Sequence, residues 1–486
     1  MKIRRILSLA IALVMVCALL AACNGDGGGD DTPPPAGVSD SEPDVRRYDR
    51  TRTIQVGIWW DPTDIYDSNR NTLPNSEANP IMGQRRMDNM RAIEERYNVR
   101  LEFVDMTFQG VQESISTSVM AGSPDVDIYC MDLNFGIPYV VSNYCMPISS
   151  YAQAGSDIFT DQGVFTPINI AGMPEDYLLR TSPPVDLNSI YQLGYNWDIL
   201  QEFNQPSPQD LWDDDKWTWD AWLDIMRNTT DSVRGTYGWS GGHVLMLSNL
   251  LISNGTGIAL TDTEGLTSPA TLQVLDFIYK MYNEYNVGKP WDQDIEYWDN
   301  NKWDTGNIAF FTWVAWLAQR NGVSKGFGTD EMIECDYTIR VVHWPIGPSG
   351  NKATNRGANL VGNVYMIPSG TPDADIVYDV FYDYHNWYGY DPNGTDADKE
   401  EALFQRNDAA YWVESYFTDD FRGFEMVLEA GERPQLDMWD SLAATNADNA
   451  RFGIGGLLDG SATPAQLSEQ WRLIMQDYID IAYGKK

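Results

Sequence analysis

Three histidines, His243, His343 and His385, are the first residues to test for metal or acid–base chemistry. Their wide separation gives no spacing that would bring imidazoles together on one metal, so a zinc hydrolase is not indicated. Two G-x-S-x-G patterns, GWSGG around Ser240 and GVSKG around Ser324, carry the letters of a nucleophile elbow. An elbow needs a buried strand before the serine and a helix after it. Neither serine follows a clear apolar run, so both read as glycine-rich turns. The 70 acidic residues include no pair whose spacing marks it for glycoside hydrolysis. DPNGTDADKEE, from Asp391, opens like a calcium loop but has Asp396 at the sixth position, where glycine belongs, and Ala402 at the twelfth. It reads as a surface turn. No catalytic residue, metal or cofactor is expected.

What recurs instead is an aromatic ring beside an acid, as in IWWDP, which holds Trp59, Trp60 and Asp61, and in KPWDQDIEYWD. A ring face stacks on C–H surface and a carboxylate accepts hydroxyl hydrogen bonds, a combination suited to a neutral, hydroxyl-rich ligand. Free phosphate would call for a basic group or a backbone nest. Side chains alternate along a strand, so a tryptophan pair at a strand tip turns at least one ring toward a cleft. Tyr237 and Trp239 in YGWSGG lie beside glycines that allow close backbone approach. Trp313 and Trp316 in FFTWVAW, three apart, share a face if that segment is helical. Asp132 follows the strand-like DIYCM and either meets ligand or caps a helix. Core packing is the competing role for each aromatic, since 18 Trp and 26 Tyr also have interiors to fill.

The elements that would position these residues can be read in order. TIQVGIWW suits a buried strand, Met87, Met90, Ile93 and Tyr97 recur at helical spacing, and RLEFVDM follows as a second strand. Val111, Ile115 and Val119 mark another helix, and DVDIYCM is the third strand. Strand and helix in alternation predict parallel pairing, with ligands collecting at the carboxyl ends of the strands, just after Ile58 and Cys130. Further on, Trp219, Trp222, Leu223 and Met226 share a helix face. So do Leu272, Leu275, Ile278, Tyr279 and Tyr282, behind a first-turn Pro269. A helix-rich second lobe follows. A body of about 435 residues exceeds one ordinary core, which also argues for two lobes.

The apolar run Leu7 to Ala22, preceded by Lys2, Arg4 and Arg5, is short for a membrane span and reads as a signal peptide over 1–22. Leu20, Ala21, Ala22 and Cys23 resemble the lipobox of bacterial lipoproteins. That resemblance implies a lipid, palmitate included, on Cys23, holding the mature chain at the outer face of the cell membrane. Residues 23–51, rich in Gly, Asp, Ser and Pro, read as a disordered tether. The formal charge is −37 and the sequence offers only short Arg pairs, not the extended basic patch that nucleic acid requires, so nucleic acid is not an expected partner. Once Cys17 leaves with the signal and Cys23 takes lipid, Cys130, Cys145 and Cys335 remain, an odd number. A Cys130–Cys145 bridge and a role for Cys130 as a small buried hydrophobe are both open.

SVMAGSPDVDIYCMDLNFGIPYV, LGYNWDIL leading into WTWDAWLDIM, GTYGWSGG, KWDTGNIAFFTWVAW and HWPIGPSG occur in this order behind the lipobox. Together they resemble the extracellular solute-binding proteins of family 1, the maltose-binding-like receptors of ABC importers. The resemblance implies an α/β, two-lobed periplasmic-binding-protein-like fold of type II with an interlobe ligand cleft. It places 52–175 and 306–370 in the first lobe, and 176–305 and 371–486 in the second. It implies a monomeric receptor without enzymatic activity, capturing a mono- or oligosaccharide and docking on ABC permease subunits. It also implies a polar ligand contact that maps to Asp132, and ligand-facing residues after a G-K-A-A-M stretch that here reads GNIAF, with Asn307 in place of the lysine. The alternative is a secreted glycan-binding or glycoside-hydrolysing surface lipoprotein.

Overall fold

Residues 46–74, 77, 80–152, 156, 158, 164–181, 190–290, 306–314, 318–319, 322–324, 332–334, 337–355, 357–358, 362–389, 400, 402, 420–432, 435–444 and 453–486 are described by a computed structural model of the chain. Cys23, Trp316, Cys335 and the start of the acidic turn at Asp391 lie outside the described residues. The folded body starts before Arg52. The Tyr48 N–H donates to the Tyr97 carbonyl at 3.0 Å, and Arg46 pairs with Asp375 and, at 2.9 Å, with Asp379.

In chain order the strands are β1 (Arg52–Ile58), β2 (Val99–Asp105), β3 (Ile128–Asp132), β4 (Phe165–Pro167), β5 (Leu179–Thr181), β6 (Gln192–Asn196), β7 (Tyr237–Ser240), β8 (Ile308–Trp313), β9 (Ala318–Gln319), β10 (Gly322–Ser324), β11 (Met332–Glu334), β12 (Ile339–Val342) and β13 (Asn363–Met366). Among the described residues they form a sheet of order β2-β1-β3-β13-β5-β4, a second of order β12-β6-β8-β7, and a small ribbon, β11-β10-β9.

The first sheet forms around β1, whose Ile54, Val56 and Ile58 are fully buried. β2 and β3 run parallel to β1 on its two sides, with Ile54 opposite Leu101 and Val56 opposite Ile128. The connections are helical, as parallel neighbours require. Helix α1 (Pro80–Tyr97) buries Met90, Ile93 and Tyr97. Helix α2 (Phe108–Ser114) buries Val111 and runs into a π-helical turn, Ile115–Val119. Helix α3 (Leu133–Val141) begins directly at the end of β3. Cys130 and Cys145 are both buried and no disulfide joins them; the Cys145 thiol lies 3.0 Å from the Met366 sulfur.

In the second sheet β6 is antiparallel to β8 and to β12, while β7 runs parallel to β8. Every residue of β6 and β8 is buried. Helix α4 (Trp219–Thr229), capped by the Thr218 side chain, buries Trp219, Trp222, Ile225 and Met226. The rings of Trp222 and Trp239 meet edge to face at 5.6 Å, and Trp344 completes the cluster at 6.0 Å from Trp222. Helix α5 (His243–Ser253) is buried along its whole length. Helix α6 (Pro269–Asn283), capped by Ser268 with Pro269 in the first turn, buries Val274, Leu275, Ile278, Met281 and Tyr282.

The chain then returns. After β12 it enters the first sheet as β13, between β3 and β5. Helix α7 (Ala374–His385) follows against α1, where the Asn89 amide donates to the Asp383 carbonyl at 3.0 Å. Helix α8 (Phe421–Glu432) packs on β12. Helix α9 (Trp439–Ala444) lies against α3, and helix α10 (Pro464–Ala482) against α6. These pairings correct the expected division of lobes. β8 and β12, expected in the first lobe, are strands of the second sheet, whereas β5 and α7, expected in the second, belong with the first. The reason is pairing: the apolar run Ile308–Trp313 fills the slot between β6 and β7 rather than returning to β1.

Candidate functional site

At the carboxyl end of the first sheet the chain leaves β1 and exposes aromatic surface. Trp59 is half-buried, and its indole N–H donates to the Asn363 side-chain oxygen at 3.1 Å. Trp60 meets Trp59 edge to face at 5.8 Å, Phe108 meets it from elsewhere at 5.1 Å, and Phe135 meets Phe108 at 5.6 Å. All four rings are half-buried. Edge-to-face contacts hold such rings in fixed mutual orientation and are each worth about 0.5–1.5 kcal/mol beyond the area they bury. Asp61 is exposed and caps the single turn Pro62–Asp64 by accepting the Thr63 N–H at 2.9 Å.

Asp132 joins two chain segments at this edge. One carboxylate oxygen accepts the Asn134 N–H at 2.9 Å and caps α3, and the other accepts the Gly362 N–H at 3.1 Å. Gly362 has φ of +117°, a conformation open to glycine and strained for other residues. The turn it makes delivers Asn363 opposite Asp132 at the start of β13.

The second sheet presents an equivalent end. β8 finishes at Thr312 and Trp313, antiparallel β6 begins there with Gln192 opposite Trp313, and parallel β7 ends nearby at Ser240. Thr312 Oγ1 and Gln192 Oε1 are buried and have no hydrogen-bond partner among the described residues. A buried polar atom left in that condition costs about 1–3 kcal/mol, so each of these two oxygens would be stabilised by a hydrogen-bond donor brought to it. Helix α9 connects the two ends. Its Ser441 hydroxyl donates to the Asn134 side-chain oxygen of α3 at 3.4 Å, and the Trp439 indole N–H donates to the Ser248 hydroxyl of α5 at 3.1 Å. The carboxylate of Asp437 pins the start of α9 by accepting the Ile258 and Ala259 N–H groups at 2.6 and 2.7 Å. Burial pushes this carboxyl up to about 6, against the pull of its backbone donors, and neighbouring Asp440 adds to the rise.

The structure therefore gathers Trp59, Trp60 and Asp132 at one edge, with Asp61 exposed beside them. Of the other candidates, Trp313 closes β8 opposite Gln192, and Tyr237 and Trp239 lie in β7. Tyr237 is half-buried at the amino end of β7, opposite the end where Trp313 lies. Trp239 is fully buried, as is Trp313. The Trp239 ring packs among Trp222 and Trp344 and donates to the Tyr282 hydroxyl at 3.1 Å, so its place is the core. The neighbouring Gly238 serves helix packing, because a Cβ there would fall 2.6 Å from the Met226 side chain. Asn307 is a structural tie, donating to the Gly235 carbonyl at 3.0 Å.

Ser240 does lie between a buried strand and a helix, contrary to the sequence expectation, since Gly238 had interrupted the apolar signal. It is not among the residues of positive φ, so the strain of a nucleophile elbow is missing. His343 lies against Trp212 with the rings tilted by 38° and reaches Glu429 at 3.2 Å, while His385 sits among Phe165, Phe381 and Tyr384, its pKa pushed down to about 3 by burial. Sequence reasoning missed Phe108, Phe135, Asn363, Thr312 and Gln192. An aromatic just beyond the second strand was a usable signal for Phe108; the polar residues had none.

A family model described as bacterial extracellular solute-binding protein matches residues 90–411. No curated protein matches the sequence. Among solved structures, the chain is similar to an ABC transporter solute-binding protein from Thermotoga lettingae TMO bound with α-D-tagatose. The two share 16% identity and a TM-score of 0.53, over 88% of this chain and 100% of that one. It is also similar to the maltose/maltodextrin-binding domain of Bdellovibrio bacteriovorus bound to maltotriose, with 14% identity and a TM-score of 0.53, over 88% and 99% of the two chains. A cyclic α-maltosyl-1,6-maltose binding protein from Arthrobacter globiformis has 14% identity and a TM-score of 0.56, over 88% and 98%. With the family match spanning well over half its length, and two sheets arranged as in these two-lobed binding proteins, the chain belongs to the bacterial extracellular solute-binding protein family.

Proposed function

We propose that this protein is an extracytoplasmic receptor that captures a mono- or oligosaccharide between its two sheets and delivers it to the permease subunits of an ABC importer. The observation that carries the reading is topological. β5 leaves the first sheet at the edge holding Trp59, Trp60 and Asn363, and β6 enters the second at the end holding Thr312 and Gln192. The returning chain, β12 to β13, joins the same two ends. A ligand lying beside these crossings meets ring faces from one sheet and hydrogen-bonding oxygens from the other, as a sugar requires. The three similar proteins named above were solved with tagatose, with maltotriose, or as a binder of a cyclic maltosyl sugar, which supports the same ligand class.

The lipobox-like Leu20-Ala21-Ala22-Cys23 supports lipid attachment at Cys23 and retention at the outer face of the cell membrane. Among the described residues no helix is long and apolar enough to cross a membrane. Binding is the whole of the receptor's task; the ATPase and the pore belong to other chains.

The test is calorimetric titration of the chain lacking its first 45 residues against mono- and oligosaccharides, with amino acids, peptides and polyamines as controls. Saturable binding of one sugar class at one site per chain, without consumption of the sugar, is the expected outcome. Binding of a control solute alone, or loss of an oligosaccharide with time, overturns the reading.

A further inference from the structure

We infer that Asn363 is a positioning residue that sets the orientation of the Trp59 platform, and that Asp132 acts on the ligand site through Asn363 rather than by touching ligand. The inference rests on the saccharide-receptor reading for its consequence, but not for its geometry.

An indole is apolar over its faces and polar at one N–H, so a half-exposed tryptophan has several orientations of similar energy unless that N–H is bound. Here the Trp59 N–H donates to Asn363 Oδ1 at 3.1 Å. Phe108 and Trp60 meet the ring edge to face at interplanar angles of 70° and 81°. The hydrogen bond fixes the ring's rotation, and the two contacts flank it.

Asn363 is itself held from three sides. It is the first residue of β13, opposite Asp132 in the ladder. Gly362 before it gives its N–H to the Asp132 carboxylate at 3.1 Å and receives the Leu133 N–H on its carbonyl at 3.0 Å. Both Asp132 oxygens thus accept backbone N–H groups, and that carboxylate works by fixing where β13 begins. Because β13 is the strand by which the chain re-enters the first sheet from β12 in the second, the acceptor of the Trp59 N–H stands at the end of an intersheet crossing. A shift of that crossing is transmitted to the ring.

The experiment uses protein labelled with fluorotryptophan, with the Trp59 signal assigned by its loss in Trp59→Phe. Asn363→Leu keeps the number and branching of the side-chain heavy atoms and removes the acceptor. The expected result is a shifted and broadened Trp59 fluorine resonance in the absence of ligand. Affinity for whichever saccharide the wild type binds is expected to fall about three- to tenfold, the range for one lost hydrogen bond. In the Trp59→Phe background the same change is expected to cost nothing further. An unmoved resonance overturns the inference, as does an equal loss of affinity with and without Trp59. If Asn363→Leu does not fold, Asn363→Ala carries the same two readouts. A wild type that binds no saccharide while the resonance moves as expected sinks the receptor reading and keeps the positioning role.

Discussion

Trp344 donates its indole N–H to the backbone carbonyl of Tyr191 at 3.1 Å, tying the segment that enters the second sheet to the segment that leaves it. Tyr191 lies just before β6 and Trp344 just after β12, so the bond sits where both crossings meet the sheet. Trp344→Phe keeps most of the ring volume and removes the donor, and is expected to lower unfolding free energy by about 1–3 kcal/mol. Trp344→Ala is expected to cost about 3–5 kcal/mol. Urea unfolding of the two variants checks both values; a Trp344→Phe variant as stable as wild type would show that packing alone matters there.

Core and platform tryptophans should separate in one pair of measurements. Trp239→Ala empties the centre of the second-sheet core and is expected to cost about 3–5 kcal/mol of stability. Trp60→Ala removes a half-exposed ring, and is expected to weaken saccharide binding at least tenfold while changing stability by less than about 1 kcal/mol. Denaturation midpoints and titrations for both variants decide it. Unchanged affinity in Trp60→Ala would remove that ring from the site.

Asp132→Ala loses the cap of α3 and the bond to Gly362 together. A lost cap costs about 0.5–2 kcal/mol, and the orphaned Gly362 N–H adds to that. The expected drop is about 2–3 kcal/mol by chemical denaturation. A variant as stable as wild type would mean that the carboxylate is not spent on the backbone.

Asp437 predicts a pH dependence whose sign can be fixed. Its folded-state pKa of about 6 lies above the ordinary carboxyl value of 3.8, so between those values the folded chain binds the proton more tightly than the unfolded chain does. This group's contribution to stability is therefore present at pH 4 and is lost as pH rises through about 6, amounting to about 3 kcal/mol. Unfolding free energies at pH 4 and pH 7 should fall further in the wild type than in Asp437→Asn. Parallel pH profiles would count against it.

Local pattern made the first half of the fold legible. Thr53–Ile58, Val99–Asp105 and Ile128–Asp132 are β-branched or apolar runs joined by short helical connections, and they pair as their spacing indicates. β13 was hidden because NVYM is four residues long and its partners, β3 and β5, lie far back in the chain. Trp59 and Trp60 could be read from their place at a strand tip. Trp239 could not be assigned, because the facing of a residue in a short strand depends on what packs against it, here Met226 pressing on Gly238. Asn363 carried no local signal, since its partner Trp59 is 304 positions away.

The insertion of β13 between β3 and β5 also governs how the molecule can come into being. Until residue 366 is available, β3 and β5 each lack a neighbour and present bare ladder edges, which invite pairing with other chains. A chain truncated after β12 would contain the whole second sheet and still leave the first one split. Folding of the first sheet must wait for a contact that spans more than two hundred residues, which makes it slow relative to the local β1–β2 pairing. An exporting cell therefore gains from keeping this chain unfolded until all of it has crossed.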